Sequence, residues 1–191
     1  MQAEMQVRIP EDRIGVILGK DGTVKKQIES YSETIIRVDS RTGLVIIHPK
    51  PNNEDPIKVW KARDIIKAIG RGFSPERAFK LLDDDYYLEI ISLRDILGNS
   101  KARIHRIRGR IIGERGKTKR IIEETTGTFV SVYGYTTAII GTYRELRIAK
   151  HAIEMLIQGA PHKTVYRYLE DQRRQMKIED LEIWERPPEP K

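Results

Sequence analysis

Residues 108–122 read RGRIIGERGKTKRII: two isoleucines, a Gly-x-x-Gly step and then a basic segment. The step is Gly113-Glu114-Arg115-Gly116, with Ile111 and Ile112 before it and Lys117, Lys119 and Arg120 set around Ile121 and Ile122 after it. Two glycines with two residues between them allow a tight turn between helices and leave no side chain to hold another backbone away. The first amides of the following helix would then lie beside the turn, where a phosphate can sit. A lone Gly-x-x-Gly is common in ordinary turns. Here it occurs twice, since Gly19-Lys20-Asp21-Gly22 has the same form.

A shift of 94 positions, from Gly19 to Gly113, lays one copy on the other without a gap. Gly15 falls on Gly109, Ile17 on Ile111, Lys25 on Lys119, Ile28 on Ile122, Glu29 on Glu123, Thr34 on Thr128 and Val38 on Val132. The order of elements repeats as well. In the first copy the patterning predicts a strand over 5–9, helices over 11–18 and 23–30, strands over 34–39 and 44–48, and a helix over 57–69. In the second it predicts a strand over 86–93, a helix from Asn99 or Ser100 to the glycines, strands over 129–132 and 137–141, and a helix over 143–158. A repeat that keeps both the glycine pair and the element order means two related domains. Ser74-Pro75-Glu76 starts a helix between them, and Asp83-Asp84-Asp85 ends it.

The chain has 191 residues, a net charge of +7, 33% charged residues and 39% apolar ones. That is room for one large or two small domains, with a basic balance that favours a polyanionic partner. With no cysteine there is neither a disulfide framework nor a Cys-based zinc site, and the four histidines are scattered. Zero cysteine with abundant Glu, Lys, Arg and Ile also suits thermophile usage. No run of about 18 apolar residues or signal core occurs, so a cytoplasmic protein that crosses no membrane is expected. No nucleophile setting or carboxylate pair in a glycine-rich pocket appears, so neither enzymatic activity nor a cofactor is expected. The three aspartates at 83–85 could ligate a hard cation, but they read better as a helix end at a domain boundary.

Strand, helix, Gly-x-x-Gly, helix, strand, variable loop, strand, helix resembles the type I KH domain (βααββα). The run Ile112-Gly113-Glu114-Arg115-Gly116 with Ile122, and Leu18-Gly19-Lys20-Asp21-Gly22 with Ile28, carry the likeness. It implies an α+β fold of two tandem type I KH domains, each a three-stranded antiparallel sheet packed on helices, with an extra C-terminal helix. The expected division is 1–72 for the first domain, 73–85 for a linker helix, 86–160 for the second domain, 161–180 for the extra helix and 181–191 for a Pro-rich, extended or mobile tail. Gly109-Arg110 through Lys119, and Gly159-Ala160-Pro161-His162-Lys163-Thr164-Val165-Tyr166, are similar to the small-subunit ribosome assembly factors of the partner-of-Nob family and their archaeal relatives. That resemblance implies binding near the 3′ end of small-subunit rRNA during its maturation, a neighbouring rRNA endonuclease as partner and, for an archaeal member, contact with the alpha subunit of translation initiation factor two. In eukaryotic relatives the first domain tends to lose its glycine pair; here Gly19 and Gly22 are both kept, which argues against a purely protein-binding first domain.

KH domains hold about four single-stranded nucleotides with the glycine loop against the backbone. On this pattern the backbone of Gly113, Glu114, Arg115 and Gly116 is expected to pack against sugar-phosphate. Arg108, Arg110, Arg115, Lys117, Lys119 and Arg120 would neutralise phosphates, while Ile111, Ile112, Ile122 and Val130 form an apolar groove floor. Lys119 and Arg120 could instead pair with Glu123 and Glu124 on a solvated face, and Ile121 and Ile122 fit plain core better than groove. Tyr133 and Tyr135 could stack on a base or pack the variable loop. Gly19, Lys20, Asp21, Gly22, Lys25 and Lys26 form the secondary site, because the approach to the first loop offers Arg13 where the second offers Lys101, Arg103, Arg106, Arg108 and Arg110. The alternative is a protein-interaction scaffold, supported by the apolar residues of the C-terminal helix and the Trp-containing tail.

Overall fold

The structure, a computed structural model, describes residues 4–51, 53 and 55–185. The first copy runs β1 (Met5–Arg8), α1 (Glu11–Leu18), α2 (Thr23–Ser32), β2 (Thr34–Val38), β3 (Leu44–Pro49) and α3 (Pro56–Gly70). A single turn, α4 (Pro75–Ala78), continues as a 3₁₀ turn to Leu82. The second copy runs β4 (Tyr86–Ser92), α5 (Leu93–Leu97), α6 (Lys101–Ile112), α7 (Lys117–Thr126), β5 (Phe129–Tyr133), β6 (Thr136–Thr142) and α8 (Tyr143–Ile157), followed by α9 (His162–Glu185). The two antiparallel sheets share one order, β1-β3-β2 and β4-β6-β5, so the last strand of each copy lies in the middle.

Local chemistry fixes the ends. Asp55 caps α3 by accepting from the Ile57 amide at 2.9 Å, with Pro56 in the first turn. Thr142 and Glu145 form a capping box at α8. Gly127 ends α7 in the left-handed region at φ 76°, and the equivalent of Gly127 in the first copy, Glu33, holds φ 49° without being glycine. The strand expected over 86–93 ends at Ser92, and residues 93–97, for which no element was expected beyond Leu93, form α5, with the Ser92 hydroxyl accepting from the Asp95 amide. Residues 181–185, expected in an extended or mobile tail, continue α9; the remainder of that tail lies outside the described residues.

The copies are joined through the second sheet. On one face Ile91, Val130 and Ile139 pack under α6, α7 and α8. On the other, Ala138 and Ile140 belong to the core built on Ile65, Ile66 and Ile69 of α3, with Leu88, Ile90 and Phe129 packed beside them. Strand β6 is therefore buried on both faces, as its unbroken TTAIIG run requires. Helix α9 packs on α7 and α8 through Val165 and Leu169.

Candidate nucleic-acid interface

The two glycine loops have the same backbone. Gly113, Arg115 and Gly116 sit at φ 74°, 51° and 76°, and Gly19, Asp21 and Gly22 at φ 69°, 54° and 74°. Arg115 and Asp21 thus occupy left-handed conformations that non-glycine residues rarely adopt. The glycines of each pair do different work. A Cβ on Gly113 would lie 2.2 Å from Thr118 Oγ1 and 2.6 Å from the Thr118 amide, and one on Gly19 would lie 2.5 Å from Val24 Cγ2. The first glycine of each pair, expected to make room for a ligand, makes room for the chain's own next helix. A Cβ on Gly116 meets nothing within 4 Å, and one on Gly22 meets only Lys26 Cε at 3.9 Å. The second glycine of each pair is the one facing outward. No side chain caps α7, so its first turn keeps backbone donors beside Gly116.

Around the second loop Lys101, Arg103, Arg106, Arg108, Arg115, Lys117, Lys119 and Arg120 make no ion pair among the described residues. Arg110 is different and corrects its assignment to phosphate: its guanidinium donates to Leu156 O at 3.3 Å and Ala160 O at 2.5 Å, tying α6 to the end of α8. Arg13 does the same in the first copy, donating to Ile69 O at 2.8 Å and Phe73 O at 2.6 Å. The first loop retains Lys20 and Lys26, while Lys25 pairs with Glu29 at 3.6 Å.

Ile111, Ile122 and Val130 are fully buried in the second core, which removes their side chains from the expected groove floor. Ile112 and Ile121 are half-buried and remain at its surface. Glu123 Oε1 accepts from the Val130 amide at 2.8 Å, as Glu29 Oε1 does from Ile36 at 2.7 Å. The free edge of β5 therefore faces α7, and alternation places the Val132 N–H and C=O on that same edge.

The inter-copy connector completes this groove, which no motif in residues 71–77 announced. Arg77 Nη1 donates to Glu123 Oε1 at 3.1 Å, and its guanidinium lies 5.1 Å from the centre of the Phe129 ring. Ser131 Oγ donates to Arg71 O at 2.8 Å. A cleft lined by Lys119, Val130 and Ser131 is closed on its other side by Gly72, Phe73, Ser74 and Arg77. Tyr133 turns away from the groove to the first copy, its hydroxyl donating to Asp12 and its ring lying under Arg13 at 5.8 Å. Tyr135 carries the Arg94 guanidinium 4.1 Å from its ring centre. Of the three aspartates, Asp84 pairs with Lys61 and Asp83 accepts from the Asp85 amide at 3.1 Å. No metal-holding group of three acidic, His or Cys residues occurs among the described residues, nor does a helix long and apolar enough to cross a membrane.

The comparisons with known proteins agree with this geometry. Residues 87–174 match the PNO1 second-domain family, described as eukaryotic type KH-domain (KH-domain type I), and residues 4–71 match the KH domain. A KH domain-containing protein of Methanocaldococcus jannaschii is 46% identical over 180 residues, 94% of this chain and 78% of its own length. The pre-rRNA-processing protein PNO1 of Coccidioides immitis is 30% identical over 84% of this chain, which spans 64% of that protein. Dim2p of Pyrococcus horikoshii, solved as an a/eIF2alpha–aDim2p–rRNA complex, superposes with a TM-score of 0.85 at 55% identity, covering 91% of this chain and 96% of that one. With the glycine loops, sheet order and extra helix all in place, the chain belongs to the PNO1/Dim2 family of tandem KH-domain proteins.

Proposed function

We propose that this protein binds single-stranded RNA in the 3′ region of small-subunit rRNA during pre-rRNA processing and small-subunit assembly, with the second copy as the principal site. The observation that carries it is the outward-facing Gly116 set among cations without carboxylate partners, beside a free strand edge. A backbone phosphate approaches at Gly116, Arg115 and Lys117 supply charge, and the Val132 backbone meets a base edge. The role is binding and positioning, with no bond made or broken by the chain. The relatives' printed names, a pre-rRNA-processing protein and a Dim2p–rRNA complex, support the choice of RNA.

The test is a filter-binding comparison of a small-subunit rRNA 3′-terminal oligonucleotide with a scrambled one. Preference for the natural sequence, with affinity falling steeply as salt rises, is expected; equal binding of the two rejects the rRNA assignment. A second reading is a scaffold that recruits an rRNA endonuclease or the alpha subunit of translation initiation factor two. The outer end of α9, which exposes Ile178 and Leu181, and the complex of the Pyrococcus relative with a/eIF2alpha favour it.

A further inference from the structure

Beyond the groove, a cavity of about 590 Å³ opens between the two copies at the tip of the β5–β6 hairpin. Pro10 and Arg71 of the first copy line one side of it, and Arg94, Asp95, Gly134 and Tyr135 line the other. Its volume lies within the range of about 300–1,000 Å³ that ligand sites span. Neither Arg71 nor Arg94 pairs with a carboxylate among the described residues. The Leu93 amide donates to Tyr135 O at 2.8 Å, fixing the hairpin tip against the start of α5. The Arg94 guanidinium carbon then lies over the Tyr135 ring, 4.1 Å from its centre, giving a cationic, aromatic platform.

We propose that this cavity is a subsite for one further nucleotide, next to those in the second groove. Its base stacks on the Tyr135–Arg94 platform, Arg71 attracts its phosphate, and Asp95 is an acceptor for an exocyclic amine. Continuity favours RNA as the occupant: β5 runs from the groove edge at Val132 directly into Tyr133 and Gly134 of the cavity wall. Aromatic and guanidinium planes are also the surfaces on which unstacked bases settle. The subsite rests on the RNA-binding reading above, and it adds residues from both copies to one strand of RNA.

The experiment uses the full chain and the rRNA 3′-terminal oligonucleotide trimmed stepwise from each end to its shortest binding core, with affinities from fluorescence anisotropy. Restoring one nucleotide at one end of the core should strengthen binding roughly five- to hundredfold, the range of a base stacked on an aromatic ring. Tyr135→Ala and Arg94→Ala should lose that increment and bind the core as the parent does, while Tyr135→Phe keeps it. Both side chains are exposed, so thermal melts of the variants should match the parent. An absent increment, or one that is equal in parent and variants, overturns the subsite. So does an oligoglutamate peptide that displaces the restored nucleotide while leaving the core bound, since the cavity would then be a peptide site. If no trimmed or full oligonucleotide binds, the RNA-binding reading falls first and the subsite with it.

Discussion

Arg77, from the connector between the copies, donates to Glu123 on α7 at 3.1 Å; at the matching place in the first copy, Lys25 lies 3.6 Å from Glu29. Lys119, the repeat-mate of Lys25, is thereby released from the carboxylate one turn along its own helix. Removing Arg77 should return Glu123 to Lys119. Arg77→Ala is expected to weaken RNA binding several-fold and to flatten the log–log salt dependence by about 0.7, the contribution of one cation on a single strand. Lys119→Ala should do the same. In a double-mutant cycle the two losses should fall well short of additive; full additivity would mean that Arg77 does not act through Lys119.

The two glycines of the second loop should separate in their effects. Gly113→Ala drives a Cβ into the Thr118 backbone, so its cost should exceed the roughly 1–2 kcal/mol of a left-handed residue by itself. Gly116→Ala should cost only that strain, with a melting temperature lower by about 2–4 °C per kcal/mol. RNA affinity should rank the opposite way per unit of stability lost, and Gly116→Asp should abolish binding in a folded protein. Melts and binding curves on the three variants decide this, and retained binding by Gly116→Asp would remove the phosphate-approach role from the loop.

Glu123 holds two donors, the Val130 amide and Arg77. Glu123→Gln keeps an acceptor for the amide and should be nearly as stable as the parent. Glu123→Ala strands a part-buried N–H and should cost about 1–3 kcal/mol. Urea denaturation of the pair checks it; equal midpoints would show that the amide finds another acceptor.

Arg110 should behave as a structural cation. Arg110→Ala removes both bonds to the end of α8 and should lower the melting temperature while leaving the salt dependence of RNA binding unchanged. A reduced salt slope would restore Arg110 to the phosphate contacts.

Burial, and then the hydrogen bond to Asp12, push the Tyr133 hydroxyl above its ordinary value of 10.0. The folded protein therefore holds that proton more tightly than the unfolded chain does. The stability this contributes is present below about pH 10 and is lost as pH rises through the higher folded value. Between pH 9 and 11 the urea midpoint of the parent should fall more than that of Tyr133→Phe, and parallel falls would show that the contact between the copies carries no such linkage.

The repeat was legible because its glycine pair, the element order and even the strand-capping glutamates recur at one fixed spacing. Helices α3 and α8 were legible from their apolar period. The interior placement of Ile111 was available too, since Ile104, Ile107 and Ile111 are the buried positions of α6 and Ile112 falls one step off that stripe. The adjacency of Ile111 and Ile112 obscures this. Val130 has the same lesson, since alternation on β5 points it into the core. Other features leave no local trace. Arg77 is an ordinary cation near a helix start until the chain folds back on β5, and Tyr133 is a loop tyrosine until the first copy meets it. The five residues of α5 are too few for a period to show, and the prolines of the tail masked a helix that persists to Glu185.

Strand β6 has no outer face. A gene that encoded the second copy alone would yield a sheet with Ala138 and Ile140 turned to water, so the ancestral duplication cannot be undone by simple loss of one half. What holds the two copies together is therefore core packing, with Ala138 and Ile140 set among Ile65, Ile66 and Ile69, and the pair is inherited as one unit.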